Sequence, residues 1–551
     1  MIGVIADPAD HEAVREFFEL FKTPWEFYRS NKRYEVVICH DENHSASGAR
    51  LIVTYAGRKT SSEDGHSKPA TSRISHSSFL VYGENRIPVY GDTTPLVPKG
   101  NILLTQQDSK ECAAYLEKTE ATYRARVGYD LFSEVRTLLT TGQPVSNAGI
   151  PTLELHIAFL RDLMSMCGIA FVEIPPVPEG HKFIACLTHD VDHASIRQQK
   201  LDHTLIGFLF RATVVSLLDL LRRRISVRDA ATNWVAAVKL PFAYIGLAKD
   251  FWRDFDQRYS EVEEGLPSTF FFITRKNYAG KRADGTAPAL RAVRYEAREL
   301  AGTIRELMAT GHEVGLHGID AWLDASAACQ ELDELRQVTG ALDTGVRMHW
   351  LYYNDESPAI LEKAGAAYDS TIGYNQTVGY RAGTTQAYKP FQTERLLELP
   401  LHAMDTALFY PGYLALSPRK AKVRLCEMVD NAAHYGGCLT INWHDRSLAP
   451  ERLWGACYRD LVQELKARGA WFATASQAVS WFEKRRSIIF EMVSEDRVGV
   501  RTGDIKAPQQ VNLPGLRCRH NQPRDLNGSL TRRSEEYVDE PVRECAETRL
   551  I

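Results

Sequence analysis

Aspartate and histidine residues stand together at the end of an apolar run in this chain. The segment Thr188-His189-Asp190-Val191-Asp192-His193 follows directly after the apolar residues 183–187. Carboxylates and imidazoles are costly to desolvate unless they are paired or bind a cation. If the extended backbone continues here, Asp190 and Asp192 share one face, so that one could bind a metal ion while the other acts as a general base. The alternative is a turn that is merely rich in Asp and His.

A second segment, residues 311–320, contains a short predicted strand with a histidine at each end. The odd spacing of His312 and His317 puts them on opposite faces of that strand. We therefore expect them not to bind one metal together. His317, at the carboxyl end, is the better metal ligand, and His312 is expected to be a turn residue.

Three later segments add arginine and histidine. On the predicted strand 345–351, Arg347 and His349 share a face, where they would pair with carboxylates, although an exposed strand face would show the same pattern. Arg381 lies in a loop, and His444 follows the apolar run 438–443. Carboxylates, histidines and arginines at successive strand ends suit a divalent metal that activates water beside a separate base and acid.

The elements that must position these residues alternate between strand and helix. Strands are predicted at 183–188, 268–274, 313–317, 345–351, 368–372, 396–401, 438–443 and 471–474, with helical runs between most of them. Repeated βα units predict a parallel barrel, in which chemistry lies at the carboxyl ends of the strands. The polar segments fall at those ends.

In the order and content of these motifs, the chain resembles the polysaccharide deacetylase superfamily, of the carbohydrate esterase family 4 type, over residues 180–480. It resembles in particular the branch with Asp-x-Asp in place of adjacent aspartates. The resemblance implies an α/β fold, a deformed (β/α) barrel of the polysaccharide deacetylase type. It also implies hydrolysis of an N-acetyl or related carbon–nitrogen bond that is not a peptide bond.

The resemblance assigns roles to individual residues. It implies that Asp190 is the general base, that Asp192 and His317 bind a divalent metal, zinc by expectation, and that His444 is the general acid. Arg347 or Arg381 would orient the base.

The sequence departs from the family pattern at Ala321, where the family usually has a second histidine of its His-Ser/Thr-x-x-His motif. One metal ligand is therefore missing. Asp320, His349 or His193 could replace it, and His349 is preferred because it points the same way as Arg347. Without a replacement, the metal would be weak or absent.

Three functions are compatible with this pattern. The first is a metal-dependent hydrolase that removes an acetyl or similar acyl group from an N-acetylated glycan or glycan precursor. The second is an amidase on a non-sugar carbon–nitrogen bond. The third is a barrel that has lost its metal and only binds carbohydrate, which Ala321 favours and the retained aspartates and histidines oppose.

The rest of the chain sets the context of the barrel. We expect a small α/β domain at 1–110, a helical connector at 111–180, the barrel at 181–484 with a helical insertion at 200–250, and a polar, partly disordered tail at 485–551. With 66 Lys and Arg against 70 Asp and Glu, the net charge is −4, which gives no sign of nucleic-acid binding. The ten cysteines form no CxxC pair, and no secretory signal is visible at the N-terminus, so a cytoplasmic protein with a carbohydrate substrate is expected.

The insertion carries two apolar stretches, 205–221 and 233–248. They predict a helical hairpin packed on the barrel or on a second subunit, which would make a homo-oligomer. The alternative is peripheral membrane contact through 205–248, with the arginines at 222–224 meeting anionic lipid. The packed hairpin is preferred, and no transmembrane helix is expected, because charged residues interrupt every long apolar run.

Overall fold

The computed structural model describes residues 1–40, 48–55, 78–119, 122–199, 202–223, 225–282, 284–494, 497–502, 515–519, 540–541 and 546–549. The chain divides into two compact units. The first contains residues 1–179, 381–384 and 480–551, and the second contains residues 180–380 and 385–479.

The first unit is built on a mixed sheet. Its elements up to residue 179 are β1 Ile2–Val4, α1 His11–Phe21, β2 Trp25–Phe27, β3 Val36–Cys39, β4 Leu51–Tyr55, β5 Ser78–Tyr82, β6 Asn85–Val89, β7 Asn101–Gln106, β8 Cys112–Lys118, β9 Tyr123–Val127, α2 Leu131–Leu139, α3 Thr152–Met166 and β10 Phe171–Glu173. Within the described residues, one sheet has the order β2-β1-β3-β4-β9-β8-β7-β5-β6, parallel from β2 to β9 and antiparallel beyond. β8 and β9 lie in the segment predicted as a helical connector, whose helices begin only at Leu131.

The second unit is an α/β structure around a curled parallel sheet. Its elements are β11 Phe183–Val191, α4 His203–Phe210, a π-helical turn Arg211–Val215, α5 Ser216–Leu221, α6 Val227–Tyr244, α7 Phe255–Glu263, β12 Thr269–Phe272, β13 Lys281–Arg282, β14 Gly285–Thr286, α8 Ala301–Ala309, β15 Glu313–Gly318, α9 Ala325–Thr339, β16 Val346–Met348, α10 Ser357–Lys363, β17 Ala403–Met404, α11 Asp405–Phe409, α12 Pro418–Tyr435, β18 Cys438–Asn442, α13 Gly455–Ala467 and β19 Ala470–Phe472. α14, Ala475–Arg486, continues from it into the first unit.

The parallel sheet has the order β16-β15-β12-β11-β18-β17, with β19 also paired to β11. Its strands are buried along their whole length except at the first residue of β15 and along β19. Apolar residues on both faces of the sheet fill one large core with the surrounding helices, as expected of parallel sheets. The carboxyl ends of β11, β15, β16 and β18 therefore meet at one edge.

Regular strands form only part of the predicted barrel. Segments 368–372 and 396–401, predicted as strands, contribute isolated parallel bridges that join Val346 to Asp369 and Asp369 to Glu398. The regular ladder within the described residues is thus a curled sheet. Short irregular segments stand where a barrel would have its remaining strands.

The insertion is helical, as its apolar stretches predict. Its buried residues, among them Phe208, Ala236 and Leu240, form a small core with Trp252 and with Ala449 of the loop after β18. The predicted hairpin that packs on the α/β core is therefore what the second unit contains.

The opposite face of the insertion exposes large apolar side chains. Within the described part of the chain, one helical stretch, Thr204–Leu221, is long and apolar enough to cross a membrane by length and composition, although 28% of it is buried. Arg211 and Asp219 interrupt this stretch, so it is not an uncharged apolar run, and the expectation that no transmembrane helix is present stays a prediction.

The C-terminal segment contains β20 Ile488–Ser494, β21 Arg497–Thr502, β22 Gly515–Arg519, β23 Glu540–Pro541 and β24 Ala546–Arg549. β21 pairs with β20 and β24, and β22 pairs with β10 and β23, all antiparallel. Strands therefore occur in the segment predicted to be a polar tail. Its remaining residues lie outside the described part of the chain.

Candidate metal and catalytic centre

A cavity of about 420 Å³ opens at the carboxyl ends of the parallel strands. Asp190, Asp192, His317, His349 and His444, each predicted from the sequence, all line it. β11 extends through Val191, longer than predicted, so that Asp190 and Asp192 keep the two-residue strand period and turn toward the same side. The strand ends thus bring residues from distant parts of the sequence to one place.

Three of these side chains have ligand atoms that converge. His317 Nε2 lies 3.1 Å from His349 Nδ1. Asp192 Oδ1 lies 3.5 Å from the first and 3.3 Å from the second. This trio, whose ligand atoms lie within 4.8 Å of one another, could hold a metal ion. His349, the predicted replacement for the missing ligand, belongs to this trio, whereas Ala321 is buried in the apolar core.

The hydrogen bonds of the two imidazoles show why a cation fits. His317 Nδ1 donates to the carbonyl of Arg347 (3.0 Å), and His349 Nε2 donates to the carbonyl of Arg291 (3.1 Å). A carbonyl only accepts, so in each neutral ring the other nitrogen carries a lone pair. These two lone pairs face each other and the buried Asp192 Oδ1, which has no hydrogen-bond partner among the described residues. Three acceptors that face one another suit a cation, and imidazoles whose far N–H is fixed by a carbonyl are typical metal ligands.

The charges of this trio agree with that assignment. Burial lowers the pKa of His349 to about 4, which keeps it a neutral ligand at physiological pH. Burial alone would raise the pKa of Asp192, but His349 and His317 hold it well below its usual range. The carboxylate is therefore ionised.

His349 owes its position to a turn that interrupts the predicted strand. β16 ends at Met348, and Trp350 and Leu351 adopt left-handed backbone conformations with φ of 62° and 52°. Such conformations are costly for residues with a side chain and are concentrated at functional sites. The buried Arg291 guanidinium donates to the carbonyl of His349 (2.9 Å) and so fixes this turn.

Asp190 is held beside the trio as a carboxylate. Arg347 Nη1 lies 3.1 Å from its Oδ1, and Asn442 Nδ2 donates to its Oδ2 (2.7 Å). Arg347 is fully buried and also donates to Thr188 and Ser370. Burial would raise the pKa of Asp190, but His317 and Arg347 lower it below its ordinary value. The predicted role of Arg347 in orienting this aspartate matches the geometry.

His444 lies across the cavity from this pair, with its Nε2 3.8 Å from Asp192 Oδ2. Its Nδ1 donates to Asp405 Oδ1 (2.6 Å), and its backbone N–H donates to Asp405 Oδ2 (2.8 Å). Burial would lower the pKa of His444, but Asp405 outweighs it and raises the pKa to about 10. His444 is therefore an imidazolium at neutral pH and can give a proton.

Asp405 and Asn442 are site residues that the sequence analysis missed. Asp405 begins α11 directly after β17, and Asn442 ends β18. Both have the signal used for the other residues, a polar side chain at the end of an apolar run, but the strand before Asp405 is only two residues long.

Arg381 is the one proposed site residue that the structure places elsewhere. It belongs to the first unit, where its carbonyl accepts from Gln143 N–H (2.8 Å), and it does not line the cavity. The loop of Arg381 carries no strand that could bring it to the edge with β11. Among the arginines that the structure describes, Arg347 is the one that pairs with Asp190, and the alternative assignment to Arg381 is corrected.

The other histidines and Asp320 have separate roles. Asp320 accepts from Tyr278 and from the N–H of Lys281, so it does not replace the missing ligand. His193 lines the cavity and packs against Trp252 instead of joining the trio. His189 bonds to Glu263 beneath the cavity, and His312 bonds to Ser268, as expected for a residue outside the site.

Comparison with known proteins finds similarity to solved structures alone. No protein-family model and no curated protein matches it. Among solved structures, it is similar to a "probable Polysaccharide deacetylase from Pseudomonas aeruginosa" (16% identity, TM-score 0.35, 58% of this chain and 96% of that one). It is also similar to the catalytic domain of a peptidoglycan N-acetylglucosamine deacetylase from Eubacterium rectale (14%, 0.26, 55% and 93%). A third is a family 4 acetyl xylan esterase from Clostridium thermocellum in complex with a cobalt ion (12%, 0.22, 54% and 89%).

Solved polysaccharide deacetylases are thus among the structures to which the chain is similar. At identities below 20% and TM-scores of 0.35 or less, these similarities carry no argument about the family or the activity of this chain. The chemistry must be derived from the site.

Proposed function

We propose that the protein is a metal-dependent hydrolase that removes an acetyl or similar acyl group from an N-acylated sugar. The observation that carries this proposal is the convergence of three proton-free ligand atoms between an arginine-paired aspartate and an aspartate-paired imidazolium. The ligands would be Asp192, His317 and His349, and their mixed nitrogen and oxygen donors suit zinc.

A divalent cation bound there would lower the pKa of a water molecule and polarise the acyl carbonyl. Asp190, ionised and held by Arg347 and Asn442, accepts the proton of the attacking water. His444, kept protonated by Asp405, donates a proton to the leaving nitrogen, since an amide anion is a poor leaving group. The two groups need opposite protonation states at one pH, which their different partners provide.

The shape of the cavity fits a sugar-sized substrate. Its volume lies within the usual range of small-molecule sites, and its wall includes Trp350, Tyr352, Tyr410 and Trp454. Trp350 is 38% exposed despite its size. Aromatic side chains offer flat apolar faces beside the polar groups that perform the chemistry, as a ring with both apolar and hydroxyl-bearing faces requires.

Metal analysis of the purified full-length protein tests the first half of this proposal. We expect about one divalent ion per chain by elemental analysis in the wild type and loss of that ion in Asp192→Asn. Asp320→Asn is the matched control, because Asp320 lies nearby but bonds to Tyr278 and Lys281. A metal content near zero in both wild type and Asp192→Asn would contradict the enzyme hypothesis and favour a carbohydrate-binding domain.

Release of acetate from N-acetylated oligosaccharides tests the second half. Wild type should release acetate, and Asp190→Ala should not while it keeps its metal. Activity on non-sugar amides alone would support the amidase alternative. Location in the cytoplasm and association of two copies stay proposals, to be tested by cell fractionation and by sedimentation.

A further inference from the structure

The wall of the cavity also carries three arginines that the proposed reaction does not use. Arg211 comes from the π-helical turn between α4 and α5, and Arg446 and Arg452 come from the loop after β18. We call these three residues the arginine cluster. They meet because the insertion packs against this loop through Ala449.

Each of these arginines has a buried N–H group without a hydrogen-bond partner among the described residues. These groups are Nε of Arg211, Nη1 of Arg446 and Nε of Arg452. Arg452 is only 8% exposed. A buried donor without an acceptor is rare and costly in a folded protein. Three such donors at one cavity indicate that an acceptor is missing.

Aromatic rings fix the guanidinium groups in place. Arg446 lies 5.2 Å from the centre of the Trp252 ring, and Arg452 lies 4.7 Å from Trp454 and 5.2 Å from Tyr410. Cation–π contacts fix the orientation of these guanidinium planes, but the N–H groups at their edges can still donate hydrogen bonds to a ligand. The cluster is therefore preorganised.

The cluster has little compensating negative charge. Burial and then the positive charge of Arg452 lower the pKa of Arg446 to about 9, and the same two causes lower the pKa of Arg211. Glu451 opposes both shifts, yet it forms no ion pair within 4 Å with any of the three in the part of the chain that the structure describes. Arg291, another arginine of the cavity wall, also has an unpaired buried Nε, but its guanidinium donates to three backbone carbonyls.

We propose that the arginine cluster is a subsite for a phosphoryl group attached to the sugar substrate. Guanidinium groups match the geometry of phosphate oxygens with paired hydrogen bonds, and several together balance a charge of about −2. The inference rests on the proposed function in one respect, that the substrate is an N-acylated sugar. It narrows that substrate to a sugar phosphate or diphosphate.

The surface beside the cluster favours one source of such a phosphate. The insertion that supplies Arg211 exposes large apolar residues, including Ile206 (61%), Phe210 (54%) and Leu221 (72%) on α4 and α5. On α6 and just after it, Val238 (70%), Ile245 (68%) and Leu247 (76%) are exposed as well. A phosphate held by an insertion that also exposes an apolar face suits a lipid-linked sugar more than a nucleotide-linked one, because the lipid chain could cover that face.

Binding of sodium pyrophosphate, measured by calorimetry on full-length protein freed of metal, tests the subsite. Wild type should bind. Arg452→Gln and, separately, Arg211→Gln should weaken binding at least tenfold. Arg419→Gln, which removes an exposed arginine of α12 outside the cavity, is the matched control and should change nothing. Thermal unfolding of every variant verifies its fold.

Absence of binding to wild type at millimolar pyrophosphate, or equal affinity in all arginine variants, would overturn the subsite. If the protein deacetylates sugars but fails this binding test, only the proposed subsite is wrong. If it binds pyrophosphate through the cluster but shows neither metal nor activity, only the proposed reaction is wrong.

Two further probes distinguish the sources of the phosphate. Phosphatidylcholine vesicles that carry hexadecyl phosphate should retain wild type more than plain vesicles, and Arg452→Gln should reduce the difference. Such a result supports a lipid-linked substrate. Tighter binding of soluble uridine diphosphate than of pyrophosphate, without vesicle binding, would support the same subsite with a nucleotide-linked substrate.

Discussion

The two sides of the cavity treat buried charge in opposite ways. On the metal side, Asp190 is matched by Arg347 and Asn442, and the remaining lone pairs converge on a single point. On the other side, Arg211, Arg446 and Arg452 leave buried N–H groups unpaired. In the functions proposed above, the first side would hold a small cation and the second would receive an anion. A buried charge that lacks a protein partner thus identifies where a ligand belongs.

The largest effect is expected on activity, for a change of Asp190 on the metal side of the cavity. Asp190→Asn removes the proton acceptor but keeps the shape of the side chain, so activity should fall by roughly 10²–10⁴-fold, as is typical of a lost general base. Acetate release measured beside metal content checks this. Asp445→Asn, at the cavity wall but without contact to Arg347, is the comparison variant. Activity within tenfold of wild type in Asp190→Asn would place the base elsewhere.

The next largest effect is expected on the free energy of unfolding, in which the two sides of the cavity should differ. Arg347→Gln leaves Asp190 buried without its cation, and breaking a buried ion pair in this way costs about 3–5 kcal/mol. Urea unfolding at neutral pH should show a midpoint lower than that of wild type. The exposed Arg419→Gln should change the unfolding free energy by less than about 0.5 kcal/mol. If Arg347→Gln is as stable as wild type, the ion pair between Arg347 and Asp190 does not stabilise the fold.

A smaller effect is expected on the pH dependence of activity when Asp405 is changed. His444 works as an acid only while protonated, and Asp405 raises its pKa to about 10. Activity should therefore persist through neutral pH and decline as the pH rises through the pKa of His444. Asp405→Asn removes the neighbouring charge, so the decline should move to lower pH by roughly 1–3 units. An unchanged alkaline limb in a pH–rate profile would show that another group is the acid.

The smallest effect, and opposite in sign to Arg347→Gln, is expected in the arginine cluster. Arg446→Met replaces a buried cation without an ion pair by an apolar side chain of similar length. In buffer without multivalent anions, we expect stability unchanged or raised by about 1 kcal/mol, since such replacements are often neutral or stabilising. Pyrophosphate should then stabilise wild type more than the variant. A loss of more than about 2 kcal/mol would mean that Arg446 holds the fold together.

The insertion shows which structural features a sequence pattern predicts and which it leaves open. Its two apolar stretches predicted helices, and the structure has α4, α5 and α6 there. Because an apolar run looks the same whether it faces a core or solvent, the pattern left packing and membrane contact as alternatives. The structure shows packing on one face and exposure on the other, and contact with a membrane stays a proposal.

The sequence by itself determined the strands that carry Asp190, Asp192, His317, Arg347 and His444, because buried parallel strands are apolar runs and their polar ends stand out. It also predicted His349 as the candidate ligand in place of the histidine missing at Ala321, and the structure brings His349 together with Asp192 and His317. Only the tertiary structure decided between Arg347 and Arg381, and only it brought in Asp405, Asn442 and the arginine cluster. The physical reason is that strand ends are local patterns, whereas partners across the sheet edge and from the insertion depend on which distant segments pack together.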